Sequence, residues 1–220
     1  MYLELNTSYK INMDRIYIVK LLKEIQDIMV ENRDYLIDLD SIVGDGDLGL
    51  TMSDGFVAAY KAVADNEEAD IGKLLYNAGK TMSTAVPSTM GTLMASGLMQ
   101  AGKVLKGRTE LTDRDIADIF EAYLEGVANR GKAKVGEKTF LDGFDPAVTA
   151  LKEALNNGDT LSVAATKARG AAEEGFKNTT NMIAVHGRAA TRGEASKTLE
   201  DPGAAVAMFI MKAFERSTVE

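Results

Sequence analysis

The spacing of apolar residues limits the folds open to this chain more than any other feature. Nearly everywhere it follows the helical turn, and no stretch alternates in twos for long enough to give a confident strand. From Ile16, the series Ile16, Val19, Leu22, Ile25, Ile28 and Met29 makes one stripe, with Asn12 placed to cap it. Further helices are expected over about 54–63, 71–85 and 90–105. Thr112 and Asp115 look like a capping pair opening a helix through Ile116, Ile119, Phe120 and Tyr123 that Gly131 ends. Another fits about 144–155, closed by Asn156, Asn157 and Gly158, and an Ala-rich one about 162–178. The last opens at Asp201 and Pro202, a capping acid followed by proline at the first helical position. About eight helices result, which makes an all-α, single-domain barrel or bundle the simplest architecture. Residues 1–12 are polar and irregular and read as a frayed, disordered extension.

Composition narrows the function classes. A net charge of -8 argues against non-specific nucleic-acid binding, which needs a surplus of Lys and Arg. It does not exclude a nucleotide whose phosphates are neutralised by metal ions or backbone amides. No segment approaches the ~20 apolar residues of a membrane span, and no basic patch precedes an apolar run at the N-terminus. With no Cys there is neither a disulfide nor a thiolate metal site, which is compatible with the expected cytoplasmic location.

Three stretches break the helical pattern: 38–51, 84–92 and 183–203, with a shorter break at 131–138. Loops gathered at one end of a bundle are where function is expected. The first carries Asp40, Asp45 and Asp47, separated by Gly44 and Gly46 and followed by Gly49. Carboxylates crowded in this way repel one another unless a cation joins them. Mg²⁺ takes oxygen ligands and leaves positions for water and phosphate, so three Asp suit it. The glycines allow positive φ and let amides approach an anion. A calcium loop of the EF-hand kind fails, because counting from Asp40 puts Asp45 where Gly is needed and Thr51 where Glu is needed. A solvated acidic turn remains the competing reading.

The order Asp40-x4-Asp45-x-Asp47-x-Gly49, then Met52 and Gly55-Phe56, resembles the signature of the L subunit of dihydroxyacetone kinases. The likeness continues through Asn77-x-Gly79, Arg130-Gly131-Lys132-Ala133, Gly136-x-Lys138-Thr139, Gly187-Arg188-Ala189, Gly193-Glu194 and Asp201-Pro202-Gly203-Ala204, and so covers nearly everything from Met13 onward.

That resemblance implies a barrel of eight antiparallel helices over 13–220, with ADP or ATP at one end and two Mg²⁺ bridging its phosphates to Asp40, Asp45 and Asp47. Leu48, Gly49, Leu50 and Thr51 would lie beside the phosphates or nucleoside. Thr84 and Ala85 fall where the family often has paired Ser. Gly131 and Phe140 would line the adenine side, Arg188 would contact the nucleotide, and Asp201, Pro202 and Gly203 would close over it. Each has a plainer reading: Thr51 and Thr84 as helix caps, Phe140 as core, Arg188 as a surface salt bridge, Asp201 as a cap whatever else it does. Lys80 and Lys138 read as solvated. The chain departs from the pattern at Leu48, where many members have His, and at Thr51, where many have Asn. Pro87-Ser88-Thr89-Met90-Gly91 stands where Gly-Gly-x-Ser-Gly is usual, so an amide is lost and bulk added at the phosphate-transfer edge.

By the same resemblance the ketose would be held on a separate K subunit. Phosphate would come either from exchanging ATP or from a bound ADP recharged by a phosphotransferase-system M subunit. A homodimer is a further option. The one His, His186, reads as a loop residue beside the nucleotide rather than a phosphocarrier. Two competing classes stay open: a non-catalytic, nucleotide-loaded regulatory subunit, and a structural bundle that only binds divalent cations.

Overall fold

The computed structural model describes residues 13–219, and the expected extension at 1–12 lies outside them. Among the described residues there are nine α-helices and no strand. They are α1 (Arg15–Glu31), α2 (Arg33–Val43), α3 (Leu48–Ala64), α4 (Ile71–Ala85), α5 (Thr89–Val104), α6 (Asp113–Gly131), α7 (Phe140–Asn156), α8 (Leu161–Asn178) and α9 (Pro202–Ser217). None is long and apolar enough to cross a membrane. From α3 to α9 each helix packs on the next, α7 also touches α9, and α1 closes the ring by packing on both α3 and α9. The result is the expected all-helical barrel, in which short connections make sequential neighbours antiparallel.

The caps explain where most helices begin. The capping box predicted at Thr112 and Asp115 is present, and Asp201 accepts from the Ala204 amide at 2.8 Å ahead of Pro202. The cap of α1 is Asp14, which accepts from the Ile16 amide at 2.7 Å; Asn12 lies outside the described residues. A start of α7 at Phe144 would place Pro146 in the first turn, where a missing amide costs nothing. Instead α7 starts at Phe140, because Thr139 and Asp142 form a second capping box.

Two expected loops are largely helical. Residues 33–43 form α2, whose Leu36, Leu39 and Val43 are buried at helical spacing, so the acidic loop shrinks to residues 44–47 and Thr51 sits inside α3. Likewise α4 runs through Thr84 and Ala85, and only residues 86–88 separate it from α5. Gly72 and Gly102 let α4 and α5 touch backbone to backbone: a Cβ on either would come within 2.5 Å of the other's carbonyl oxygen.

The core at the middle of the ring is aromatic and close-packed. Phe120 lies 4.6 Å from Phe214 and Phe140 lies 4.7 Å from Phe144, ring centre to ring centre. Each such buried ring contributes on the order of 2–3 kcal/mol. This rigid floor holds the connecting loops at the end where α2, α4, α6 and α8 finish.

Candidate functional site

At that end a cavity of about 730 Å³ opens between segments far apart in sequence. One wall is the end of α2 and the start of α3, with Asp40, Asp45, Asp47 and Leu48. A second is residues 87–90 at the start of α5. A third is the end of α6 and the start of α7, with Val127, Gly131, Lys138 and Phe140. The α8–α9 connection, with His186 and Arg188, and the start of α9, residues 201–203, complete it.

The acidic wall is built by local geometry. Asp40 occupies the last turn of α2, and its carboxylate accepts from the amides of Asp47 and Leu48 at 3.1 and 3.4 Å, so it caps α3 from a distance. At Gly44 a Cβ would meet Asp40 Oδ1 at 2.3 Å and displace that carboxylate from where it stands, and Gly46 takes a φ of +74° to return the chain. One carboxylate oxygen from each of Asp40, Asp45 and Asp47 lies within 4.8 Å of the others. Burial pushes the Asp40 carboxyl above its ordinary pKa, the amide of Leu48 acts against this, and the charges of Asp45 and Asp47 add to the rise. An all-oxygen donor set of mutually repelling carboxylates fits a hard divalent cation such as Mg²⁺, whose ligand oxygens sit about 3–4 Å from one another.

Facing this wall is the α8–α9 connection, which is irregular apart from 3-10 turns over 179–181 and 188–196. Arg188 reaches across and pairs with Asp45, and Arg192 donates to the carbonyl of Ile42. Beneath them Val43, Ala184 and Ala189 form a small apolar cluster with Leu199 against them. His186 Nε2 shares a hydrogen bond of 2.6 Å with Glu137, and that bond holds the Glu137 carboxyl below its ordinary range.

The inner end is apolar. Phe140 is 3% exposed and belongs to the core, yet its edge also forms cavity floor beside Val127 and Leu93. Asp201 caps α9 and is almost wholly buried. Burial pushes its carboxyl up to about 7 against the pull of the Ala204 amide, Asp142 pushes the same way, and Lys138 opposes.

Of the residues singled out in the sequence, the cavity brings together Asp40, Asp45, Asp47, Leu48, Gly131, Phe140, Arg188, Asp201, Pro202 and Gly203. Five others do not line it. Gly49 lies where α3 meets α2, and a Cβ there would fall 2.0 Å from the Arg33 carbonyl oxygen. Leu50 is on the solvent side of α3, and Thr51 is packed within that helix. The Thr84 hydroxyl donates to the Lys80 carbonyl one turn back, and Ala85 is exposed at the end of α4. Lys80 is exposed as expected, but Lys138 is not solvated: it is 2% exposed and its ammonium is enclosed by carbonyl groups. Val43, Leu93 and Val127 also line the cavity and carry no sequence signal that separates them from ordinary core.

A family profile described as "DAK2 domain" matches residues 42–216. The chain is 33% identical over 201 residues to the "PEP-dependent dihydroxyacetone kinase, ADP-binding subunit DhaL" of Escherichia coli, covering 91% of this chain and 96% of that one. It is 32% identical over 200 residues to the "L-erythrulose 1-kinase" of Mycolicibacterium smegmatis, covering 89% of this chain but only 34% of that one. The crystal structure of the dihydroxyacetone kinase from C. freundii in complex with AMP-PNP and Mg²⁺ superposes with a TM-score of 0.70 at 19% identity, over 99% of this chain and 37% of that one. At that identity the superposition speaks to the fold alone.

Proposed function

The chain belongs to the DAK2 domain family, and on that premise we propose that it is the nucleotide-holding subunit of a short-chain ketose kinase, with residues 13–220 as its nucleotide-binding domain. The observation that carries this reading is a three-carboxylate cluster facing an apolar floor across one cavity. An apolar recess accepts a base, and the acidic rim accepts a diphosphate only with cations between.

In this reading Asp40, Asp45 and Asp47 hold Mg²⁺, two ions on the family pattern. The bound ions supply charge neutralisation at the phosphates, which is most of what phosphoryl transfer asks of a protein site. Phe140 and Gly131 enclose the base, with Leu48 beside the phosphates. The Arg188 guanidinium, already on the rim, donates to phosphate oxygens and orients the transferred group. Thr89 and Met90, at the start of α5, line the same cavity, and amides in a first helical turn have no intrahelical acceptor. Asp201, Pro202 and Gly203 form the remaining side. We assign no ligand contact to Gly49, Leu50, Thr51, Thr84 and Ala85, which do not line the cavity.

The chain spans nearly the whole of a relative named as an ADP-binding subunit and about a third of one named as an L-erythrulose 1-kinase. In this reading the ketose is held outside that shared third, and a separate K subunit supplies its site. The PEP-dependent name of the first relative favours a resident ADP recharged by a phosphotransferase-system subunit over exchanging ATP. The test is native mass spectrometry of the purified chain, followed by assay with and without a K subunit. ADP and magnesium should travel with the protein, and dihydroxyacetone should be phosphorylated only once the K subunit and a phosphate donor are added. Turnover by the chain alone would refute the partner requirement, and a nucleotide-free chain that ignores added Mg-ADP would refute the site.

One observation favours a second reading, a non-catalytic nucleotide-loaded subunit. At the start of α5 the Ser88 hydroxyl is committed as a cap, accepting from the Gly91 amide at 3.0 Å. The Ser88 amide donates to the Val86 carbonyl at 2.8 Å, and Pro87 has no amide to give. Tight ADP binding without ketose phosphorylation in the reconstituted assay would select that reading.

A further inference from the structure

The most unusual buried group in the molecule is Lys138. Its Nζ donates to the carbonyls of Thr179 at 2.7 Å, Met182 at 3.3 Å, Ser196 at 2.7 Å and Leu199 at 2.5 Å. The residue is 2% exposed and its backbone sits in the left-handed region, with a φ of +60°, which a side chain of this size rarely adopts. Conformational strain of that kind persists only where the surroundings over-determine it. An ammonium is compact and carries three donors, so one is shared between two of the four carbonyls, and it can gather them from several directions where a guanidinium fork cannot. Among the described residues no carboxylate is bonded to it; Asp201 is the anion whose field it feels.

The four acceptors fall into two pairs. Thr179 and Met182 lie where α8 ends, and Ser196 and Leu199 lie where the connection returns to α9. One ammonium therefore pins both feet of the arch formed by residues 183–195. The rest of the arch touches the body through Val185, whose amide donates to the Glu137 carbonyl at 3.2 Å, through His186 on Glu137, through Arg188 on Asp45 and Arg192 on the Ile42 carbonyl of α2, and through Ala184 and Ala189 packed on Val43. The polar contacts among these are largely exposed and individually weak and the apolar cluster on Val43 is small, whereas the bonds at the feet converge on one buried charge. We infer that Lys138 is a positioning residue: by pinning the two feet of the 183–195 arch it fixes where Arg188 stands over the cavity. The inference rests on the ligand role proposed for Arg188 but concerns a different residue and has its own readout.

The experiment pairs Lys138→Met with Arg188→Ala. In the full chain without nucleotide, hydrogen exchange read by mass spectrometry should quicken at least ~10-fold over residues 179–199 in the Lys138→Met protein and stay within ~2-fold over α1 to α6. In Mg-ADP titrations each single variant should bind about 10-fold more weakly, and the double variant no more than ~2-fold below Arg188→Ala alone, because Lys138 acts through Arg188. Independent, multiplying losses would overturn the positioning role, and so would an exchange increase spread over all helices. Should Lys138→Met not fold, Lys138→Arg keeps the charge with the wrong donor geometry and should show the same local loosening; failure of both to fold would make Lys138 a folding residue and refute the inference. If the wild-type chain binds no Mg-ADP, the proposed function falls, while the exchange pattern of the arch still decides for or against Lys138.

Discussion

Replacing Asp45 with Ala should move stability and ligand response in opposite directions. Two unit charges 4.8 Å apart, the outer limit of the carboxylate spacing here, repel by about 0.9 kcal/mol in water and about 3.5 kcal/mol at an effective dielectric of ~20. Asp45 and Asp47 are exposed, so the lower figure is the better guide, and it applies to each of the two neighbours that Asp45 faces. Against that relief stands the loss of the exposed pair with Arg188, at most ~1 kcal/mol. The metal-free variant should therefore be at least as stable as the wild type, by about 0–1 kcal/mol, or a few degrees at most in melting temperature for a chain of this size. The ligand response should behave differently. At a hundredfold excess over its dissociation constant, Mg-ADP adds about 2.7 kcal/mol to the wild type, roughly 5–10 °C. Without one of three ligands that gain should nearly vanish in Asp45→Ala. Thermal scans with Mg²⁺ alone, ADP alone and both together separate the effects. A variant whose melting point still rises with Mg-ADP as far as the wild type's would refute the metal-ligand reasoning. A variant that melts lower without ligand would show that the cluster is held by its contacts rather than strained by its charge.

Two further outcomes follow from the same geometry. Arg188→Ala should weaken Mg-ADP binding about 10-fold in calorimetry while shifting the ligand-free melting temperature by no more than ~2 °C, because the side chain is on the surface and its one ion pair is exposed; a collapse in stability would mean the arginine serves the fold. Asp201→Asn should change the pH dependence of stability. With its carboxyl at about 7 when folded against an ordinary 3.8, the folded protein holds a proton that the unfolded chain releases, so this group's contribution is full below about 4 and is lost as pH rises through 7. The difference amounts to about 4 kcal/mol at most. Asparagine caps a helix as well as aspartate but carries no charge to desolvate, so urea titrations should find the variant gaining on the wild type between about pH 4 and 7 and level above that; parallel stability curves would refute the assignment.

How much of this is legible in the sequence depends on whether a residue's surroundings are local. The capping pairs at Thr112 with Asp115 and at Asp201 with Pro202 are readable because a cap is satisfied within a few residues. Helix α2 is local too, but its acids Asp34, Asp38 and Asp40 imitate a loop, and only three buried apolar residues mark its inner face. The acidic cluster is legible because its glycines and carboxylates lie together in the chain. Gly49 belongs to the same run, but its smallness serves the approach of α3 to α2, which no single-sequence pattern distinguishes from a ligand's approach. Lys138 misleads for the opposite reason: all four of its acceptors are more than 40 residues away, and a lysine between Glu and Thr carries no sign of them.

The net charge gives the same lesson at the scale of the whole chain. At -8 the protein repels polyanions, and the cations that join the arch to the rest of the cavity are already engaged. Arg188 and Arg192 hold the arch from outside, to Asp45 and to the end of α2, and Lys138 holds it from within. None of the three is a free counter-charge waiting for phosphate. Lys138 gives its hydrogen bonds to carbonyl groups, Arg192 donates to a carbonyl, and Arg188 is paired with one of the very carboxylates a metal would take. A diphosphate entering without divalent cations would meet three carboxylates and an arginine bound to one of them, and the balance of charge on that wall would reject it. On the proposed reading, dependence on Mg²⁺ follows from the arrangement of protein charges, which is why ADP affinity measured with and without the cation tests the site as a whole rather than any one of its residues.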